Sequence, residues 1–206
     1  MIVGIIGSGG REHAICQKIY HSRRTKKIYC FPGNGGTAEI AENINITSDN
    51  IAKLKKFILK KKIDLVVVGP EQPLVDGIVD DLIKSNIKVF GPSKIASQLE
   101  GSKIFTKNIC KKYNIPTADF GVFKNRRDAI NFIKKTKLPI VVKADGLAAG
   151  KGVYICENLK NAENSVNEIF DGKFGKAKNV LIEEFLQGEE MSYFIISDGK
   201  TFKKFQ

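Results

Sequence analysis

Short apolar runs alternate with helical stripes over residues 1–92. Ile2–Ile6 reads as a buried strand. Glu12–Tyr20 reads as a helix with Ala14, Ile15 and Ile19 available to one face. Ile28–Phe31 is a second strand, and Ile51, Leu54, Phe57 and Ile58 share one helical stripe. Asp64–Val68 is a continuous strand bounded by Gly69-Pro70. Val75, Ile78, Val79, Leu82 and Ile83 form a further stripe, and Ile87–Phe90 is a strand closed by Gly91-Pro92. Continuous apolar strands separated by helices predict an α/β, Rossmann-like parallel sheet covered on both faces.

Residues 93–118 read as a connecting helical region. Ile104, Phe105, Ile109 and Tyr113 fit a helix that stops at Asn114-Ile115-Pro116. A second α/β unit follows. Phe120–Phe123 and Ile140–Ala144 are strands around a helix at about 126–135. The glycine-rich loop Gly146–Gly152 leads into the strand Val153–Cys156. A helix at about 160–170 and strands at about 180–185 and 190–196 complete the pattern. The expected organisation is a domain over 1–100, a linking helical region over 101–118 and a second domain over 119–206. Phe202-Lys-Lys-Phe-Gln206 reads as the start of another strand, so the chain is expected to be cut short.

Composition changes this picture little. The chain has 206 residues, 42% hydrophobic and 27% charged, which excludes a disordered polyelectrolyte and a small disulfide-stapled module. No apolar run approaches the ~20 residues that span a bilayer. The start, MIVGIIGSGG, has no basic region before its apolar stretch and does not read as a signal peptide. A cytoplasmic protein without a membrane partner is expected. Cys16, Cys30, Cys110 and Cys156 are scattered singly, with only His13 and His21 beside them, which argues for reduced, mostly buried thiols and against zinc. The formal charge of +12 raises the question of nucleic acid. However, 29 lysines stand against 5 arginines, beside 27 isoleucines and 14 asparagines, the residues that A/T-rich codons specify. Arginine, the bidentate reader of phosphates and bases, is scarce, so a solvated lysine surface is expected and no nucleic-acid partner.

Candidate chemistry gathers in loops after strands. Gly7-Ser-Gly-Gly-Arg-Glu12 follows a strand and opens a helix, where free N–H groups hold anions. It departs from a dinucleotide fingerprint, because Glu12 stands where the third glycine belongs. It reads either as a site for a polar, phosphorylated small molecule, with Arg11 and Glu12 at the sheet's carboxyl edge, or as a plain glycine turn. Phe31-Pro-Gly-Asn-Gly-Gly-Thr37 and Gly69-Pro-Glu-Gln-Pro-Leu74 follow two further strands. Three such loops gather at one edge, where open α/β sheets bind ligands, and Glu71 suits an amine or a ribose hydroxyl.

The sharpest motif is Val142-Lys-Ala-Asp-Gly-Leu-Ala-Ala-Gly-Lys-Gly-Val153. Its small-residue loop can fold over polyphosphate, with backbone N–H groups and Lys151 facing it, and Lys143 reaches phosphate oxygens. Gly152 follows the lysine where a Walker loop needs Ser or Thr. Val180-Leu-Ile-Glu-Glu-Phe-Leu-Gln-Gly-Glu-Glu190 then runs from a strand into four glutamates, suited to an adenine edge and ribose hydroxyls.

Taken in order, GSGGREHA, PGNGGT, GPEQPLVDG, GPSKIASQLEGSK, KADGLAAGKGV and EEFLQGEEMS resemble the N-terminal part of the phosphoribosylamine–glycine ligase (glycinamide ribonucleotide synthetase) family, of the ATP-grasp superfamily. The resemblance covers essentially the whole chain. It implies an N-terminal Rossmann-like domain followed by part of an ATP-grasp domain, acting as a monomer on glycine, 5-phosphoribosylamine and ATP. By motif, Lys103 and Lys143 would contact ATP phosphates, and Gly150, Lys151 and Gly152 would form the lid. Glu183, Phe185 and Leu186 would border the adenine and Glu190 would hold the ribose. Gly9, Arg11, Glu12, Asn34, Gly36, Thr37 and Glu71 would line the phosphoribosylamine side. The family's Glu-x-Asn-x-Arg type magnesium segment does not occur here, so Mg2+ ligands are expected beyond residue 206 and no catalytic residue is assigned. The resemblance thus implies weak nucleotide binding and no ligase activity for these residues alone. Another carboxylate–amine ligase, a non-catalytic nucleotide-binding module and a dinucleotide oxidoreductase remain as alternatives.

Overall fold

The computed structural model describes residues 1–147, 151–175 and 179–205. Its first half runs β1 (Ile2–Gly7), α1 (Gly10–Tyr20), β2 (Lys27–Pro32), α2 (Gly35–Ala38), β3 (Glu42–Asn43), α3 (Ile51–Lys60), β4 (Leu65–Val68), α4 (Glu71–Asp76), α5 (Ile78–Ile83) and β5 (Val89–Phe90). These five strands form one sheet in the order β3-β2-β1-β4-β5, with every neighbouring pair parallel.

Both faces of this sheet are covered, which is why its strands read as unbroken apolar runs. Ile6, Phe31, Val66 and Val68 pack under Leu54 and Ile58 of α3 and Ile78, Val79 and Leu82 of α5. Val3, Ile5, Cys30 and Val67 face the other way, onto Cys16 of α1. Two expectations change. The stripe over 75–83 is split into α4 and α5 at Gly77, whose φ of +100° is left-handed and costs glycine little. The strand expected over Ile87–Phe90 shrinks to Val89–Phe90, a short edge strand paired with β4 alone.

The second half runs α6 (Gln98–Gly101), α7 (Lys103–Lys112), β6 (Phe120–Phe123), α8 (Arg126–Ile133), β7 (Ile140–Ala144), β8 (Val153–Cys156), α9 (Leu159–Phe170), β9 (Val180–Glu184), β10 (Ile195–Ser197) and β11 (Phe202–Lys204). Four of these strands form an antiparallel sheet in the order β6-β9-β7-β8. Ile140, Val142, Ala144, Val180 and Ile182 pack against Ala129 and Ile133 of α8 and Ala162, Val166 and Ile169 of α9. Side chains alternate across a strand, so Lys143 and Glu183 lie on the opposite face. There they meet α7, whose buried residue is Lys107.

The expected helix through Tyr113 ends at Lys112, because Asn114 adopts a φ of +54° ahead of Ile115-Pro116. The strand expected at 190–196 forms only from Ile195. It pairs with β11 in a separate two-stranded ribbon whose six residues are all exposed. A ribbon that covers no apolar face has little to extend it.

All four cysteines are free; Cys16, Cys30 and Cys156 are buried and Cys110 is half-buried. Burial, then the neighbouring Cys16 thiol, pushes Cys30 up to about 12. Burial likewise raises Cys16 and Cys156. Only a thiolate attacks an alkylating reagent. Native protein at mildly alkaline pH is therefore expected to label at Cys110 alone, and at all four cysteines once unfolded. Mass mapping that finds Cys30 labelled natively would contradict this burial.

Candidate functional site

The strand order reverses at β1, which has β2 on one side and β4 on the other. Loops leaving the carboxyl ends of β1 and β4 diverge there and open a crevice. Glu12 does not reach into it. Only 5% exposed, it turns back so that its Oε2 accepts a hydrogen bond from the Gly9 N–H at 2.7 Å. Glycines at 7 and 69 make room for it, since a Cβ at either position would collide with the Glu12 side chain. Arg11 reaches across instead. Its Nη1 lies 2.7 Å from Glu71 Oε1 and donates to the Gly69 carbonyl at 3.1 Å. That contact raises the Arg11 pKa and lowers that of Glu71. The pair is solvent-screened and adds little stability, so its effect is to tie the two loops.

The loop after β2 joins them. Asn34 accepts from the Thr37 N–H at 2.9 Å and donates through Nδ2 to the carbonyls of Ser8 and Gly9 at 2.9 and 3.2 Å. Thr37 is fully buried, and its hydroxyl donates to Asn43 Oδ1 at 2.8 Å. Gly36 backs onto His13, where a Cβ would enter the imidazole ring. Of the seven expected substrate-side residues, Arg11 and Glu71 line the cleft described next. Gly9, Asn34 and Gly36 shape its neighbouring loops, and Glu12 and Thr37 point inward.

A cleft of about 830 Å³ joins this edge to the second sheet. Five cations, Arg11, Lys103, Lys107, Lys143 and Lys151, line it against three carboxylates, Glu71, Glu100 and Glu183. A wall with surplus positive charge suits an anionic ligand. Lys103 opens α7 and donates to the Gly146 carbonyl at 2.9 Å. Burial lowers its pKa, Asp145 opposes that shift, and Lys143 adds to it. Asp145 accepts from Ser102 Oγ at 3.1 Å and the Ile104 N–H at 3.3 Å, docking the start of the glycine-rich loop onto the helix.

Glu183 is the centre of the polar wall. Its Oε2 lies 2.6 Å from Lys143 Nζ and its Oε1 3.2 Å from Lys107 Nζ. In register Glu183 faces Val141 and Lys143 faces Leu181, so the pair is a diagonal neighbour on one face of β7 and β9. Lys107 also donates to Thr117 Oγ1 at 2.7 Å and to the Ala118 carbonyl at 3.1 Å. Sequence reasoning missed Lys107 and Asp145. The available signal for Lys107 was its spacing of four residues from Lys103, which puts both on one helix face.

The remaining expected residues divide. Lys151 lines the cleft, and Gly152 takes a φ of +76° with its carbonyl accepting from the Ala144 N–H at 2.8 Å. Gly150 lies outside the described residues. Phe185 is half-buried beyond β9, while Leu186 and Glu190 are exposed, and none of the three lines the cleft. Among the described residues no group of three His, Cys, Asp or Glu side chains converges on a metal position. They do not fit a magnesium site.

Two family models cover the chain: phosphoribosylglycinamide synthetase, N domain, over residues 1–100, and its ATP-grasp (A) domain over residues 101–206. The chain is 49% identical over 203 residues to a phosphoribosylamine–glycine ligase of Clostridium acetobutylicum, covering 98% of this chain and 49% of that one. It is 52% identical over 202 residues to the same enzyme of Brucella melitensis, covering 98% and 47%. A crystal structure of phosphoribosylamine–glycine ligase from Thermotoga maritima superposes with a TM-score of 0.80 at 32% identity, covering 99% of this chain and 49% of that one. The chain spans about half the length of the curated relatives it matches.

Proposed function

Because the chain belongs to the phosphoribosylglycinamide synthetase family, we propose that it forms the N-terminal part of a ligase joining glycine to 5-phosphoribosylamine. ATP phosphorylates the glycine carboxylate, turning a poor electrophile into glycyl phosphate and releasing ADP. The amine of phosphoribosylamine attacks the acyl carbon, the C–O bond to phosphate breaks, and a proton leaves the new amide nitrogen. The products are glycinamide ribonucleotide and phosphate. The protein's part is positioning, exclusion of water and neutralisation of phosphate charge.

One observation carries this reading. Arg11 of α1 and Glu71 of α4, in the first half, line the same cleft as Lys103, Lys143 and Lys151 from the second half. In this reading Lys103 and Lys143 hold ATP phosphates, and Gly150, Lys151 and Gly152 cover them. Glu183, Phe185 and Leu186 border the adenine and Glu190 binds the ribose, which requires the segment after β9 to fold toward the cleft. Gly9, Arg11, Asn34, Gly36 and Glu71 face phosphoribosylamine, with Glu12 and Thr37 holding their loops. ATP-grasp ligases use ATP with Mg2+, whose ligands in this reading lie outside the described residues. Residues 1–100, 101–118 and 119–206 serve as substrate domain, linker and ATP-grasp portion. No helix among the described residues is long and apolar enough to cross a membrane. This reading takes the protein as a cytoplasmic monomer acting on small molecules.

The whole protein should release ADP only when glycine and phosphoribosylamine are both present. ADP release that continues unchanged without glycine would overturn the proposal. Glu71→Gln should raise the KM for phosphoribosylamine about tenfold, the scale of one charged contact, and spare that for ATP. The reverse pattern would favour a ligase with a different amine substrate.

A further inference from the structure

We infer that Lys107 sets the preference of the cleft for a nucleoside triphosphate over the bare nucleoside, by neutralising Glu183 and so leaving the Lys143 charge to face the anion. This inference rests on the reading of the cleft as an ATP site. The three charges form one cluster with Glu183 in the middle, 2.6 Å from Lys143 and 3.2 Å from Lys107. Its net charge is one positive.

Lys107 is placed to balance charge and not to bind. An ammonium has three protons to donate; Lys107 gives two of them to Thr117 Oγ1 and the Ala118 carbonyl, and its charge stands 3.2 Å from Glu183 Oε1. Its side chain is only 10% exposed, with the Phe120 ring 5.4 Å behind the nitrogen. Lys143 differs. Its side chain is 25% exposed in the cleft wall, and Glu183 is its one side-chain partner among the described residues. Lys103 stands nearby, its ammonium donating to the Gly146 carbonyl beside Asp145. If Glu183 had Lys143 alone, the pair would be neutral and would offer a triphosphate no net attraction. Lys107 is therefore a positioning residue. It holds the carboxylate from behind and lets one positive charge stand forward.

The test titrates the whole protein with ATP and with adenosine in magnesium-free buffer, read by isothermal titration calorimetry. The unsubstituted protein should bind ATP more tightly than adenosine. Lys107→Met makes the cluster neutral and should weaken ATP about tenfold, the scale of one charge-assisted contact, with adenosine unchanged. Lys107→Met combined with Glu183→Gln returns the cluster to one positive charge and should restore the ATP preference. Adenine contacts altered by Glu183→Gln affect both ligands and cancel in the comparison. Retention of the ATP preference by Lys107→Met would overturn the inference, as would failure of the double variant to regain it. If Lys107→Met does not fold, the double variant decides alone, and loss of its ATP preference overturns the inference. An unsubstituted whole protein that binds neither ligand would instead overturn the nucleotide reading beneath it.

Discussion

Glu183→Ala is expected to lower stability by about 3–5 kcal/mol, the cost of stranding a buried charge by removing its partner. The stranded group is Lys107, which sits among Thr117, Ala118 and the Phe120 ring. Lys143, a quarter exposed, regains water and suffers less. Lys107→Met should cost much less, because Glu183 keeps Lys143 at 2.6 Å and no buried charge is left alone. Urea unfolding checks this through the midpoint at constant slope. A loss for Glu183→Ala below about 1 kcal/mol would mean the cluster is hydrated, as surface pairs are.

Lys143→Ala in the whole protein is expected to raise the ATP KM, or to lower the rate, by about tenfold or more. A charge-assisted hydrogen bond contributes about 1.5–3 kcal/mol, and every ~1.4 kcal/mol is a factor of ten. Folding should be little affected, since Glu183 keeps Lys107. Unchanged ATP kinetics in a folded variant would remove Lys143 from the phosphate site.

Much of the architecture was legible in the chain, for reasons that particular residues display. The runs at 2–6, 28–31 and 64–68 read as strands because a sheet covered on both faces demands apolar side chains at every position. The stripe of Leu54 and Ile58 read as a helix because only one face of α3 is buried. The misses share a cause as well. Glu42–Asn43 pairs with β2 through backbone groups and has no apolar signature. Gly77 breaks a stripe whose spacing on either side is unbroken. The residues 190–194 carry strand-like composition without a partner strand among the described residues.

For the candidate site, residue type and spacing were enough to say which side chains could act. The chain placed lysines at 103, 143 and 151, glycines where the backbone turns after strands, and glutamates at 71 and 183. These are local properties, carried by residue type and by spacing within one element. What each of them faces was set by the packing of distant elements. Glu12 turned inward because Gly7, Gly9 and Gly69 leave space beside it. Glu183 became the bridge between two lysines because α7 lies on the face of β7 and β9 away from α8 and α9. Burial and ion pairing depend on how elements separated in sequence pack together, and no periodicity within a segment records that distance.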